Sequence, residues 1–326
     1  MNVDPLGRRP RPLTGKRTAD YSEEQVRTRE SDTRKAVKHI WVDHPPQANV
    51  IGRILAYRLA TLDGVGDHDG LCLSQDSQVG KTATVTRVKH ILARERIANR
   101  EEPNPYQVIV VGLDQKTSLK SVLQDILIQM NDPDWDYGTE KQLRQRIRNF
   151  VARLGVELII IDECQHLQKG GTDVADVTDA FKRFLDMGIA PLVLVGNLDA
   201  RRVFDRNPQF RARLGLPLTL PALDTKNRTS DAIYFRKFVL GFDEALMACK
   251  AFTVSSNLTA PAVLDALLEA SGSYFGRVAR IIKNAAIHAA ARGALMVEPY
   301  DLSCVVREFA MPARWVDHDP FSTPNK

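Results

Sequence analysis

Apolar residues along this chain follow two rhythms in turn. Between about residues 70 and 220, short continuous apolar runs alternate with longer stretches in which apolar positions recur every three or four residues. A short run suits a strand buried on both faces, and the longer rhythm gives a helix one apolar stripe. The pattern predicts strands at 70–74, 107–112, 158–162, 191–196 and 217–220, with helices at 81–97, 118–130, 139–153, 173–187 and 199–205. Ahead of the first strand, Val50, Ile54, Leu55, Tyr57 and Leu59 mark a leader helix, preceded by Ile40-Trp41-Val42 and His44-Pro45-Pro46. Beyond the polar linker Asp224-Thr225-Lys226-Asn227-Arg228 the strands stop, and helical periodicity alone runs through 229–248, 260–271, 276–292 and 299–308. Strands alternating with helices imply an α/β fold, a parallel sheet covered by helices, followed by a small all-α domain.

The domain reading is a basic flexible arm at 1–38, a core at 39–224, a helical lid at 225–310 and a tail at 311–326. In the arm, Arg8, Arg9, Arg11, Lys16 and Arg17 are interleaved with prolines and lack apolar periodicity, so it suits DNA phosphates or solvent equally. Disorder is the expectation for the tail, which carries Trp315 and Phe321. With 326 residues, 44% hydrophobic and 26% charged, the chain has globular composition. Its 45 basic and 40 acidic residues leave a net charge of +5, a mixed surface that permits nucleic acid without specifying it. Four scattered cysteines without a CxxC spacing read as buried thiols. No run reaches the roughly 18 apolar residues of a membrane span, and the N-terminus lacks the apolar segment of a signal peptide. A cytoplasmic protein without a membrane partner is expected.

The first strand runs into Gln75-Asp76-Ser77-Gln78-Val79-Gly80-Lys81-Thr82 and then a helix, the context a phosphate-binding loop needs. Loop amides and the helix N-terminus present N–H dipoles to phosphates. Lys81 supplies a cation between the β and γ positions, and Thr82 supplies a hydroxyl for Mg²⁺. Gln75 stands where GxxxxGK[ST] opens with glycine, so a residue with a Cβ must make the turn, and weaker nucleotide binding or altered loop geometry is expected.

A buried strand, Leu158-Ile159-Ile160-Ile161, ends in Asp162-Glu163. Two carboxylates at such an end cost free energy unless cations or water engage them. Asp162 is therefore expected to hold Mg²⁺ through its water shell, and Glu163 to polarise an attacking water. The next strand delivers Asn197 to the same sheet edge, as a polar group able to sense a γ-phosphate. Arg211 and Arg213 precede the fifth strand and are both candidates for a cation reaching across a subunit interface. In the helical domain, Ser271–Arg280 is a turn opening a helix, from which Arg277 or Arg280 can lean back onto nucleotide. Lys116, Thr117 and Lys120, after the second strand, are candidate DNA-phosphate contacts, beside the plainer reading of an ordinary capped helix start.

The ordered set resembles the AAA+ ATPases of the TniB/TnsC type, which regulate target choice in DNA transposition. The likeness covers most of 39–305. It runs through Trp41…His44-Pro45, Gly80-Lys81-Thr82, Asp162-Glu163-Cys164-Gln165-His166-Leu167, Val195-Gly196-Asn197 and Phe210–Leu214. It continues in Phe235…Phe242-Glu244-Ala245-Leu246 and Gly276-Arg277-Val278-Ala279-Arg280-Ile281-Ile282. By position, Lys81 and Thr82 match the Walker A motif, Asp162 and Glu163 the Walker B, Asn197 sensor 1, Arg211 or Arg213 the finger, and Arg277 sensor 2. The resemblance implies a P-loop ATPase using ATP and Mg²⁺ that self-assembles into rings or helical filaments on duplex DNA. It also implies recruitment or activation of a transposase, contact with a target-selection protein, and ATP hydrolysis that controls disassembly. Two other readings of the same residues are a helicase-loader or replication-type AAA+ ATPase, and an ATP-holding scaffold that hydrolyses weakly because of Gln75.

Overall fold

The computed structural model describes residues 21–64, 69–114, 118–168 and 174–322. Two helices lead. Helix α1 (Glu23–His39) opens with a capping box in which Ser22 and Gln25 exchange side-chain to backbone hydrogen bonds, and α2 (Pro45–Leu62) opens on prolines, which the first helical turn tolerates. Then come β1 (Leu71–Ser74), α3 (Lys81–Ala98), β2 (Val108–Gly112), α4 (Leu119–Gln129) and α5 (Glu140–Leu154). Next are β3 (Leu158–Asp162), a 3₁₀ turn (Cys164–Gln168), α6 (Val174–Asp186), β4 (Leu192–Gly196), α7 (Leu198–Asp205) and α8 (Pro208–Arg211). The rest is helical: α9 (Thr229–Ala248), α10 (Pro261–Ala270), α11 (Phe275–Ala291), α12 (Pro299–Val305) and one stretch of π-helix (Val306–Ala310).

Residues 45–220 form one unit on a parallel sheet of order β1-β4-β3-β2. Every residue of β3 and β4 is buried, which explains their unbroken apolar text: a strand covered on both faces has no polar side to alternate. Ile109, Ile126, Leu143, Ile147, Ile159, Ile161, Leu194, Phe204 and Phe210 share the core. Of the connecting helices, α5 shows the local logic most clearly. Thr139 caps its start in a capping box with Gln142, and Gly155, at φ +63, ends it in the left-handed conformation that glycine adopts without strain.

The fifth strand expected at 217–220 is not a regular strand. Its neighbourhood follows the free edge of β1 through two isolated bridges, Gly70 to Leu214 and Leu73 to Leu218. Gly215 N–H donates to Gly70 O and Leu218 N–H to Cys72 O, both at 2.9 Å. Between these, Pro217 has no N–H to give, and the ladder breaks there.

The other unit joins the described residues 21–44 with 221–322. Its core gathers Val37 and Ile40 with Phe235, Phe238, Phe242, Ile281 and Ile282. Fully buried Ala285, Ala286, Ala289 and Ala290 keep one side of α11 thin, and α1 packs against α11. The reading of 1–38 as a flexible arm therefore needs correcting over 23–38, where α1 is an ordered helix. Arg29 donates to Ala251 O at 3.2 Å, and Lys283 donates to Ile40 O at 2.8 Å. The helix escapes notice in the sequence because few of its residues are apolar; Thr33 and Val37 are its buried positions. The stretch 39–44, assigned to the core, also belongs here: His44 stacks on Phe275 at 4.2 Å and meets Phe238 edge-on at 5.3 Å. The tail, expected to be disordered, is packed through the described residues. Trp315 meets Phe309 edge-on at 5.1 Å, and the Ser303 hydroxyl donates to buried Asp319 at 2.5 Å.

A charged knot closes this unit. Asp301 is fully buried and accepts from Arg292 Nε at 2.7 Å and Nη2 at 2.8 Å, with His288 Nδ1 at 2.7 Å. Burial opposes ionisation of Asp301, but the hydrogen bonds from Arg292 and His288 outweigh it and hold the carboxyl below its ordinary value.

Candidate functional site

The loop of residues 75–82 joins β1 to α3, and its backbone bends at two places. Gly80, the N-cap of α3, takes φ +110, and Gln78 takes φ +65. Gln75, the expected point of strain, is not among the residues with positive φ; its N–H donates to Gly196 O at 3.2 Å, tying the start of the loop to the end of β4. The left-handed position bearing a side chain is therefore Gln78. Val79 is buried as the loop's apolar anchor, while Asp76 is half-buried and Ser77 is exposed. Lys81 Nζ donates to the carbonyls of Gln75 at 2.8 Å and Asp76 at 2.6 Å, so the ammonium lies within the curve of the loop.

Because β4 lies between β1 and β3, three strand ends meet at one edge: the loop after β1, Asn197 after β4, and Asp162-Glu163 at β3. The Thr82 hydroxyl lies near the Asp162 carboxylate. Burial raises the Asp162 pKa and the neighbouring Glu163 charge adds to this; the Glu163 N–H at 2.8 Å, the charge of Lys81 and the Thr82 hydroxyl pull the other way. Glu163 is exposed and takes φ +61, a left-handed turn that swings the chain off the strand. Asn197 is the N-cap of α7, its Oδ1 accepting from Asp199 N at 2.9 Å and Ala200 N at 3.2 Å.

Asp162 and Thr82 are hard oxygen donors at the same sheet edge, and among the described residues no group of three or more His, Cys, Asp and Glu could cage a metal by itself. That donor set fits Mg²⁺, which usually takes one or two protein oxygens and completes its shell with water and substrate phosphate.

The three candidate arginines each have side-chain partners of their own. Arg211 pairs with Asp205 at 3.1 Å and Arg213 with Asp186 at 2.6 Å, both partly exposed. Arg277, in the helical unit, lies over the rings of Tyr274 at 4.7 Å and Trp315 at 5.1 Å. Of the candidate DNA contacts, Lys116 and Thr117 fall outside the described residues. Lys120 is exposed in the first turn of α4, whose N-cap is Ser118.

Two glutamines escaped the sequence reading as site residues. Buried Gln47 on α2 donates to Thr84 Oγ1 at 2.9 Å and to Gly80 O at 3.4 Å, bracing the first turn of α3. Gln165 donates to Glu163 and accepts from Asn197 N–H at 3.1 Å. Gln165 had a signal, its place in the text following Asp162-Glu163; Gln47 had only its polarity within an apolar helix.

A family model described as Bacterial TniB protein matches residues 33–223, more than half of the 326-residue chain. The chain belongs to the TniB family. No curated protein matches it. Among solved structures, this TniB-family chain is similar to the ORC2 protein of Aeropyrum pernix in its ADPNP–ADP complexes. The TM-score is 0.61 at 18% identity, over 84% of this chain and 71% of that one. The ORC1 protein of Aeropyrum pernix in complex with DNA gives 0.58 at 16%, over 84% and 68%. Cdc6p from Pyrobaculum aerophilum gives 0.55 at 15%, over 84% and 70%. These likenesses establish the fold, so this TniB-type protein has a P-loop AAA+ core with a parallel sheet covered by helices, followed by a small helical domain. Among the described residues no helix is long and apolar enough to cross a membrane.

Proposed function

We propose that this TniB-family protein is an ATP-dependent regulator of DNA transposition that assembles on duplex DNA. The observation that carries the reading is the gathering of Lys81, Thr82, Asp162, Glu163 and Asn197 at one sheet edge, in a chain matched by the TniB model. Lys81 exchanges its two loop carbonyls for phosphate oxygens, and the first-turn amides of α3 hold the rest of the anion. Thr82 and Asp162 would hold Mg²⁺, which would supply neutralisation of phosphate charge. Glu163 orients and deprotonates the attacking water, and Asn197 reads the γ position.

Arg211 and Arg213 are surface arginines steadied by Asp205 and Asp186, which suits a cation offered to a neighbouring subunit. A γ-phosphate bridging two subunits stabilises an assembly, and its cleavage removes that bridge, so hydrolysis acts as a disassembly signal. Similar structures include one solved with DNA and one with ADPNP and ADP, which supports nucleotide and duplex DNA as ligands here. The family match favours a transposase, with a target-selection protein, over a replicative helicase as the partner.

Sedimentation with duplex DNA in ATP, in ADP and without nucleotide tests this, with Lys81→Ala as control. Large assemblies that need both ATP and DNA and vanish in the variant support the proposal. Unchanged sedimentation in every condition removes DNA-templated assembly.

A further inference from the structure

After β3 the 3₁₀ turn Cys164–Gln168 brings the Gln165 side chain across the carboxyl edge of the sheet, where both ends of its amide are engaged. Its Nε2 donates to Glu163 Oε2, and its Oε1 accepts from the backbone N–H of Asn197 at 3.1 Å. Because β3 and β4 are neighbours, this side chain straps two adjacent strand ends together. Gly196 makes room for it: a Cβ there would lie 3.2 Å from Gln165 Oε1 and 3.4 Å from Cys164 Cβ. The strap also ends on a fixed point, since Asn197 is held by its own cap bonds to Asp199 and Ala200.

We propose that Gln165 is a positioning residue that holds the Glu163 carboxylate in a resting orientation, anchored on the turn between β4 and α7, and so restrains hydrolysis. This deepens the ATPase reading and rests on it. A carboxylate that accepts an amide N–H through one oxygen is held in the orientation of that bond, and swinging its oxygens toward a water placed elsewhere costs the bond. Glu163 is otherwise exposed, so the Gln165 amide is the contact that fixes its direction. The anchor on Asn197 couples the restraint to the residue placed to read the γ position: a shift of that turn pulls Gln165 and frees Glu163 together.

The test is steady-state ATP hydrolysis by the full chain carrying Gln165→Met or Gln165→Glu, with ATP affinity and melting temperature measured alongside. Methionine keeps the volume and removes both hydrogen bonds; glutamate keeps an acceptor for Asn197 and removes the donor to Glu163. Both variants are expected to raise kcat about tenfold, the factor that one hydrogen bond to a charged group is worth, with KM for ATP unchanged. Combining Gln165→Met with Glu163→Gln is expected to leave turnover as low as in Glu163→Gln alone, because the gain runs through Glu163. A variant that melts with the unaltered chain yet shows equal or lower kcat overturns the restraint while leaving the ATPase reading standing. Absence of ATP binding in the unaltered chain overturns both.

Discussion

The ammonium of Lys81 lies 2.8 Å from the carbonyl oxygen of Gln75, donating into the loop that bears it. Together with the second bond to Asp76, this keeps the cation inside the curve where phosphate is expected. Lys81→Ala should therefore lower nucleotide affinity by about 10- to 100-fold, the value of one or two charge-assisted hydrogen bonds. Titration with a fluorescent ATP analogue measures it. An unchanged affinity would mean the loop does not hold the nucleotide.

Gln75→Gly addresses the departure from the usual loop. Since Gln75 does not take positive φ, glycine there relieves no left-handed strain, and turnover should change by less than about tenfold, or about 1.4 kcal/mol of barrier. A gain of a hundredfold or more in steady-state turnover would instead mark Gln75 as a brake.

Asp162 makes a trade between folding and function testable. Its pKa is raised, chiefly by burial, so its contribution to stability declines as pH rises from the ordinary aspartate value through the folded-state value. At neutral pH the ionised side chain costs stability when no cation is bound. Asp162→Asn should raise the melting temperature of the nucleotide-free protein while abolishing Mg²⁺-dependent hydrolysis. Calorimetry with and without nucleotide decides; a lowered melting temperature would show that the Glu163 N–H and the charge of Lys81 outweigh the desolvation.

The sheet was legible in the sequence because its strands are buried on both faces and need continuous apolar text, as in Leu158-Ile159-Ile160-Ile161. The placing of Thr82 and Asp162 at one edge follows from motif spacing, since the strand and the loop end on the same side of the sheet. Gln165 was signalled only by its place after Asp162-Glu163; its role depends on a 3₁₀ turn that folds it back toward Glu163 and on the missing Cβ of Gly196, and neither has a periodicity. Helix α1 stayed hidden for a different reason. It is held by caps, by Arg29 reaching Ala251 and by a short buried stripe, so local apolar counting finds almost nothing to count.

Gly196 also carries a prediction. An added Cβ would stand 2.6 Å from Ala200 Cβ, closer than the start of α7 permits. Gly196→Ala should destabilise the protein by about 1–3 kcal/mol, the usual cost of overpacking, and disturb the Asn197 cap. Chemical denaturation gives the first, and loss of ATP turnover beyond the loss of folded protein gives the second.

In the helical unit, Arg292→Met strips two hydrogen bonds from buried Asp301 and should cost about 3–5 kcal/mol, the penalty of a buried charge left uncompensated. The sign of the acid response follows from the depressed Asp301 pKa. Its stabilisation is complete above the ordinary aspartate value of about 3.9 and is lost as pH falls through the lower folded-state value. Acid titration followed by circular dichroism should show the wild-type midpoint depending on this knot, and Arg292→Met unfolding at higher pH.

The helical unit is made from both ends of the chain, with α1 at one end and α9 onward at the other. During synthesis the sheet-bearing stretch is therefore complete while the partners of α1 are still unmade, and α1 must wait exposed until α11 leaves the ribosome. A fragment stopped at the family boundary near residue 223 would keep the nucleotide edge yet strand α1 without its packing surface. Soluble expression of the ATPase core alone should accordingly improve when residues before Pro45 are removed with the C-terminal helices.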